Sequence, residues 1–195
     1  RSLALQEVPT LPYSQEETRA VQQISEANQV AFTAHTGRNA NFEALLGPEA
    51  SQPGFLHIAT HSIVGDKPFE AALLLRQDTS AGYTGLHIED IFRARLQAEL
   101  TVLSACETGI GGQEQGGGLI SLNYAFLHAG SRNTLASLWQ VNDKATARLM
   151  KQFYTALFGN SPNNYSAAMA QAQRAMQQSQ YSHPYYWAGW ALFGL

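Results

Sequence analysis

Residues 100–118, Leu-Thr-Val-Leu-Ser-Ala-Cys-Glu-Thr-Gly-Ile-Gly-Gly-Gln-Glu-Gln-Gly-Gly-Gly, constrain the fold of this chain more than any other stretch. Leu100–Leu103 is uncharged, apolar and β-branched, as a strand covered on both faces of a sheet must be. Such a strand delivers Ser104-Ala105-Cys106 at its carboxyl end, where open α/β sheets place their chemistry. Six glycines follow between Gly109 and Gly118, and an apolar helix is expected from Leu119. Cys106 is the one cysteine of the chain. By itself it has two readings: a small buried hydrophobe, or a nucleophile.

Around this stretch, strands alternate with helices. Ser14-Gln15-Glu16-Glu17 predicts a capping box, ahead of a helix with Ala20, Val21, Ile24 and Ala27 on one face. Val30–Thr33 reads as a short strand, and Asn39 as the cap of a helix ending at Gly47-Pro48. Phe55–Thr60 is a strand that closes on His61, and Ala72–Leu75 a second. Leu86–Leu96 has helical spacing at Ile88, Ile91, Phe92 and Leu96. Leu119–Ala129 predicts a buried helix ended by Gly130, and Thr134–Leu138 a strand closing on Trp139. Asp143 is expected to cap an amphipathic helix carrying Leu149, Met150, Phe153, Tyr154 and Leu157. Ser166 opens a helix rich in Ala and Gln, and Trp187–Leu195 is strand-like. The alternation predicts a three-layer α/β/α fold with a mostly parallel central sheet.

The 195 residues fit one domain spanning 1–195. A first residue of Arg rather than Met leads us to expect a piece cut from a longer protein. Net charge is −3, charged residues are 14%, and Lys and Arg do not cluster, which argues against nucleic acid as the partner of this domain. No apolar run approaches the ~20 residues of a membrane helix, and no signal peptide opens the chain. One thiol forms no internal disulfide, so a reducing, cytoplasmic setting is expected.

Metal and phosphate chemistry are not expected. His57 and His61 lie four apart on a strand, roughly 13 Å at ~3.3 Å per residue, too far for one ion. The glycine stretch holds Glu114 and no lysine, the wrong sign for a phosphate cradle. No G-x-S-x-G elbow is present. There remains the pairing of Cys106 with His61, each just past the end of a strand. An unassisted thiol has a pKa of ~8.5 and is mostly protonated at neutral pH. An adjacent imidazole supplies both a proton acceptor and a counter-charge. The plainer reading of His61 is a hydrogen-bonded loop histidine.

Several blocks in order resemble the CHAT domain, of the caspase and separase group of cysteine peptidases: HIATHS at 57–62, LTVLSACETGIG at 100–111, GGGLISLNYAFLHAGS at 116–131, SLWQVNDKAT at 137–146 and HPYYWAGWALFG at 183–194. The resemblance implies a caspase-like fold and a cysteine endopeptidase with a Cys–His dyad, His61 and Cys106, working through a thioester without cofactor or metal. It implies an oxyanion hole from the backbone N–H groups of Ser62 and Cys106. Ser62 stands where the family usually has glycine, so a turn needing positive φ would be strained there. Ser104, two before the nucleophile, together with Ser137, Trp139 and Asp143, is expected to contact substrate, though Asp143 also suits a helix cap. Gln140 replaces the arginine that follows the matching caspase tryptophan, so cutting after Asp has no support. The resemblance also implies the carboxyl-terminal part of a longer protein, so the expected partners are a protein substrate and an upstream tetratricopeptide-repeat region or an activating partner. The alternative is a catalytically silent interaction module of the same fold.

Overall fold

A computed structural model describes residues 11–48, 51–63, 70–76, 83–104, 106–107 and 117–194. The Leu3–Leu5 stretch, Pro9 and the glycine-rich segment from 108 to 116 lie outside the described residues. In chain order the elements are α1 (Ser14–Ala27), α2 (Phe42–Leu46), β1 (Gly54–Ile58), β2 (His61–Ile63), β3 (Ala72–Arg76), β4 (Tyr83–His87), α3 (Ile88–Arg93), β5 (Ala98–Leu103), β6 (Cys106–Glu107), α4 (Gly117–Ala129), β7 (Asn133–Ser137), α5 (Asp143–Phe158), α6 (Tyr165–Gln177) and β8 (Trp190–Gly194). Contacts divide the chain into two compact units. One contains His35–Gln140 and Ala191–Leu195, the other Thr10–Ala34 and Val141–Trp190.

The first unit is built on strands. One sheet runs in the order β1-β5-β7-β8, and a second in the order β4-β3-β2-β6. β5 is parallel to both β1 and β7. β2 is parallel to β6, while β3 is antiparallel to β2 and to β4. Leu100, Thr101, Val102 and Leu103 are all fully buried, so both faces of β5 are covered, as its lack of charge demands. Ile58, Leu103 and Ala136 share one core with Ile88 and Ile91 of α3 and with Leu122, Ala125, Phe126 and Ala129 of α4. Each large apolar side chain buried there contributes roughly 1.5–3 kcal/mol.

The end of α4 is tied to the start of β5. Leu96 N donates to Ala129 O at 2.7 Å and Arg132 N to Ala98 O at 2.8 Å. Between them Gly130 has φ +115, and a Cβ there would lie 2.1 Å from Leu96 O. Only glycine lets the chain leave α4 this close to that carbonyl.

The second unit is helical. The expected face of α5, with Leu149, Met150, Phe153, Tyr154 and Leu157, is buried. α1 contributes Val21 and the buried Glu17, and α6 contributes Ala168, Met169, Ala172 and Met176. Burial first, and the Glu17 carboxylate second, push the Tyr154 phenol far above its ordinary range.

Several expected boundaries move. Val30–Thr33 forms no strand: Gln29 turns the chain with φ 58 and Val30 N returns to Ser25 O, and β-branched residues without a partner strand do not make one. Ser14 is inside α1 and its hydroxyl donates to Leu11 O, so no capping box forms. Asn41 rather than Asn39 caps α2, Asn142 rather than Asp143 caps α5, and Asn164 caps α6. Leu86 belongs to β4, and the Asp90 carboxylate accepts from His87 N to start α3 only at Ile88. Among the described residues, no helix is long and apolar enough to cross a membrane. The chain is mixed α/β with a mostly parallel central sheet, the arrangement of a three-layer α/β/α caspase-like fold.

Candidate active site

The site grows out of the β1–β5 ladder. That ladder ends with Ile58 level with Leu103. Three residues later on each strand, pairing resumes between β2 and β6 in unchanged register: His61 with Cys106, then Ser62 with Glu107. The backbones of His61 and Cys106 are therefore level on adjacent parallel strands, which run about 4.8 Å apart.

β2 is held from its other side as well. Thr60 Oγ1 donates to Leu74 O at 2.5 Å, and Ser62 and Ile63 pair with Leu73 and Ala72 of β3. This places His61 at the head of a strand with a neighbour on each flank, and the residue is only 7% exposed. Ser62 is fully buried. The non-glycine residues with positive φ are Gln29 and Asn163 among those described, so the strain expected at Ser62 is not there: it stands in a strand, not in a left-handed turn.

The remaining expected residues divide between the units. Ser104 and Ser137 stand at the carboxyl ends of β5 and β7, 6% and 1% exposed, one residue beyond the Leu103–Ala136 pair. Trp139, half-buried, follows two residues after β7, and Gln140 is exposed. Asp143 lies in the helical unit, where its Oδ2 accepts from Tyr13 N at 2.9 Å. The structure thus gathers His61, Ser62, Cys106, Ser104 and Ser137 at strand ends of one unit and leaves Asp143 to tie the head of α5 to Tyr13.

His57 is in β1, level with Val102, and among the described residues no group of three or more His, Cys, Asp or Glu could hold a metal ion. His183 Nδ1 accepts from Tyr185 N at 3.2 Å, and Tyr185 and Tyr181 each meet Tyr186 edge-on, which gives the terminal aromatic block a packing role. Sequence reasoning passed over Asn123, an amide fully buried in α4. Its signal is an amide at mid-helix, between Leu122 and the apolar Ala125-Phe126-Leu127 run.

A family model described as the CHAT domain matches residues 2–195. Tetratricopeptide repeat protein 28 of Mus musculus is 35% identical over 106 residues, covering 54% of this chain and 4% of the relative. Tetratricopeptide repeat protein 28 of Homo sapiens is 34% identical over 106 residues, with the same coverage. The chain spans a small fraction of the length of these curated relatives. With its sequence matched from residue 2 to residue 195, this protein belongs to the caspase-like CHAT domain family.

Proposed function

We propose that residues 1–195 act as one cysteine endopeptidase domain, with His61 and Cys106 as its dyad. The observation that carries this reading is the shared register of the two backbones on β2 and β6. Residues level with one another on neighbouring strands of a pleated sheet lie on one face, the arrangement a sulfur–imidazole pair needs.

In the reaction, His61 takes the thiol proton and the Cys106 sulfur attacks the scissile carbonyl carbon. The carbonyl oxygen becomes negative and is met by backbone N–H groups, of Cys106 and of Ser62. The C–N bond breaks, and the imidazolium gives its proton to the departing amine. That leaves a thioester, which a water deprotonated by His61 hydrolyses to a carboxylic acid and free thiol. Every step balances without metal or cofactor. β2 has a neighbour on each side, so the ladder competes for the Ser62 N–H, and Cys106 is the stronger of the two donors.

In this reading Ser104, Ser137 and Trp139 contact the substrate beyond the carboxyl ends of β5 and β7. Asp143, already bonded to Tyr13 N, is the weakest of the four expected contacts. The substrate is a protein, and the single thiol fits a cytoplasmic setting. The relatives' name supports an adjoining tetratricopeptide-repeat region as the natural companion of this domain. The test is digestion of a mixed peptide library by the full-length protein, with products identified by mass. The reading predicts cleavage that disappears in Cys106→Ala. A wild-type protein that cuts no more than Cys106→Ala, with or without the repeat region, instead supports the silent interaction module.

A further inference from the structure

The geometry points to selection of a carboxamide side chain, Asn or Gln, immediately before the bond that is cut; this rests on the peptidase reading above. Ser104 and Ser137 are more than nine-tenths buried, and the Oγ of each has no hydrogen-bond partner among the described residues. A hydroxyl out of water needs a partner, because its desolvation is otherwise uncompensated. The two residues are level on the adjacent strands β5 and β7, one step past Leu103 and Ala136. Leu103 and Ala136 belong to the core under α4, so by the strand alternation Ser104 and Ser137 occupy the opposite face of the sheet. Both close their strands, and Ser104 stands two residues before Cys106. Thr134 Oγ1 is also buried and unpartnered among the described residues, but it shares the face of Ala136 three residues before the strand ends.

Chemistry selects among the side chains that such a pair can receive. Two hydroxyls together offer donors and acceptors and no charge. A carboxamide presents an acceptor oxygen and a donor nitrogen, so one hydroxyl can donate to it and the other accept from it. A carboxylate brings acceptors only and a charge, and neither serine has a charged neighbour in sequence to balance it. An ammonium or guanidinium brings donors only. An apolar side chain of the same size leaves both hydroxyls unpaired, and sites built to hydrogen-bond reject such analogues strongly.

The test is a fluorogenic peptide series read as kcat/KM with the full-length protein, varying only the residue before the cut among Gln, Asn, Leu, Met, Asp, Glu, Lys and Arg. Gln or Asn is expected to exceed Leu, and every charged residue, at least tenfold. Ser104→Ala and Ser137→Ala are each expected to shrink the Gln-to-Leu ratio about tenfold. Cleavage with a charged or apolar preference, or alanine variants that leave the ratio unchanged, overturns the carboxamide inference and leaves the peptidase reading intact. Absence of cleavage across the whole series overturns both.

Discussion

His61 and Cys106 pair across a parallel ladder that resumes, in unchanged register, three residues after Ile58 and Leu103 close theirs. The pairing follows from the strands that precede it. β1 and β5 deliver their carboxyl ends together, and β3 braces β2 through Ser62, Ile63 and the Thr60 hydroxyl. If the pair is a dyad, the imidazole carries the proton transfers. His61→Ala should then lower kcat/KM for a cleaved peptide by about 10²–10⁴-fold with little change in melting temperature. Peptide hydrolysis and a thermal melt on the same preparation check both halves.

Ser62 is under no left-handed strain, so restoring the glycine usual in the family should bring no gain. Ser62→Gly is expected to leave kcat/KM at or below wild type, and to destabilise by roughly 0.5–1 kcal/mol through backbone entropy. A several-fold rise in kcat/KM in the glycine variant would contradict this account of the β2 backbone.

Gly130→Ala confronts both φ +115 and the Leu96 carbonyl, 2.1 Å from the new Cβ. Because Leu96 is itself pinned through its N–H to Ala129 O, that carbonyl cannot swing away cheaply. The expected loss is about 2–4 kcal/mol, or roughly 5–15 °C in Tm for a chain of this size. Calorimetry of the single variant measures it.

Tyr154 ties stability to alkaline pH. Burial and Glu17 raise its phenol above the ordinary 10.0, so the folded chain holds a proton that the unfolded chain releases. The stability this contributes is complete below pH 10 and is lost as pH rises above it, by up to about 1.4 kcal/mol per pH unit. Urea unfolding between pH 9 and pH 11 should show this slope, and Tyr154→Phe should be flatter by that amount.

What could be read from the sequence followed from length and pattern. Leu100–Leu103 had no charge and no exposed position to place, so only a doubly covered strand suited it. The α5 face from Leu149 to Leu157 repeated at helical spacing and is buried as expected. β2 and β6 could not be read, because strands of three and two residues have no period; they exist through pairing with residues far away in the chain. Local chemistry also left equal choices open. Asn142 and Asp143 are both good capping types, and only the backbone decides that Asn142 accepts from Ala145 N. Likewise the apolar Leu86 runs straight into the helical pattern of Ile88 and Ile91, but the Asp90 carboxylate accepts from His87 N and starts the helix after it. The sequence names His61 and Cys106 as candidates by type and position, whereas their shared register could not be read from it.

The most direct test follows alkylation of Cys106, the one cysteine of residues 1–195, by mass on the peptide that carries it. Iodoacetamide labelling rates of the full-length protein would be measured from pH 5 to pH 10 in wild type and in His61→Ala. The account predicts fast labelling of wild type well below the ~8.5 midpoint of an ordinary thiol, and a return to that midpoint in His61→Ala. Matching profiles in the two proteins, both rising near pH 8.5, would contradict it.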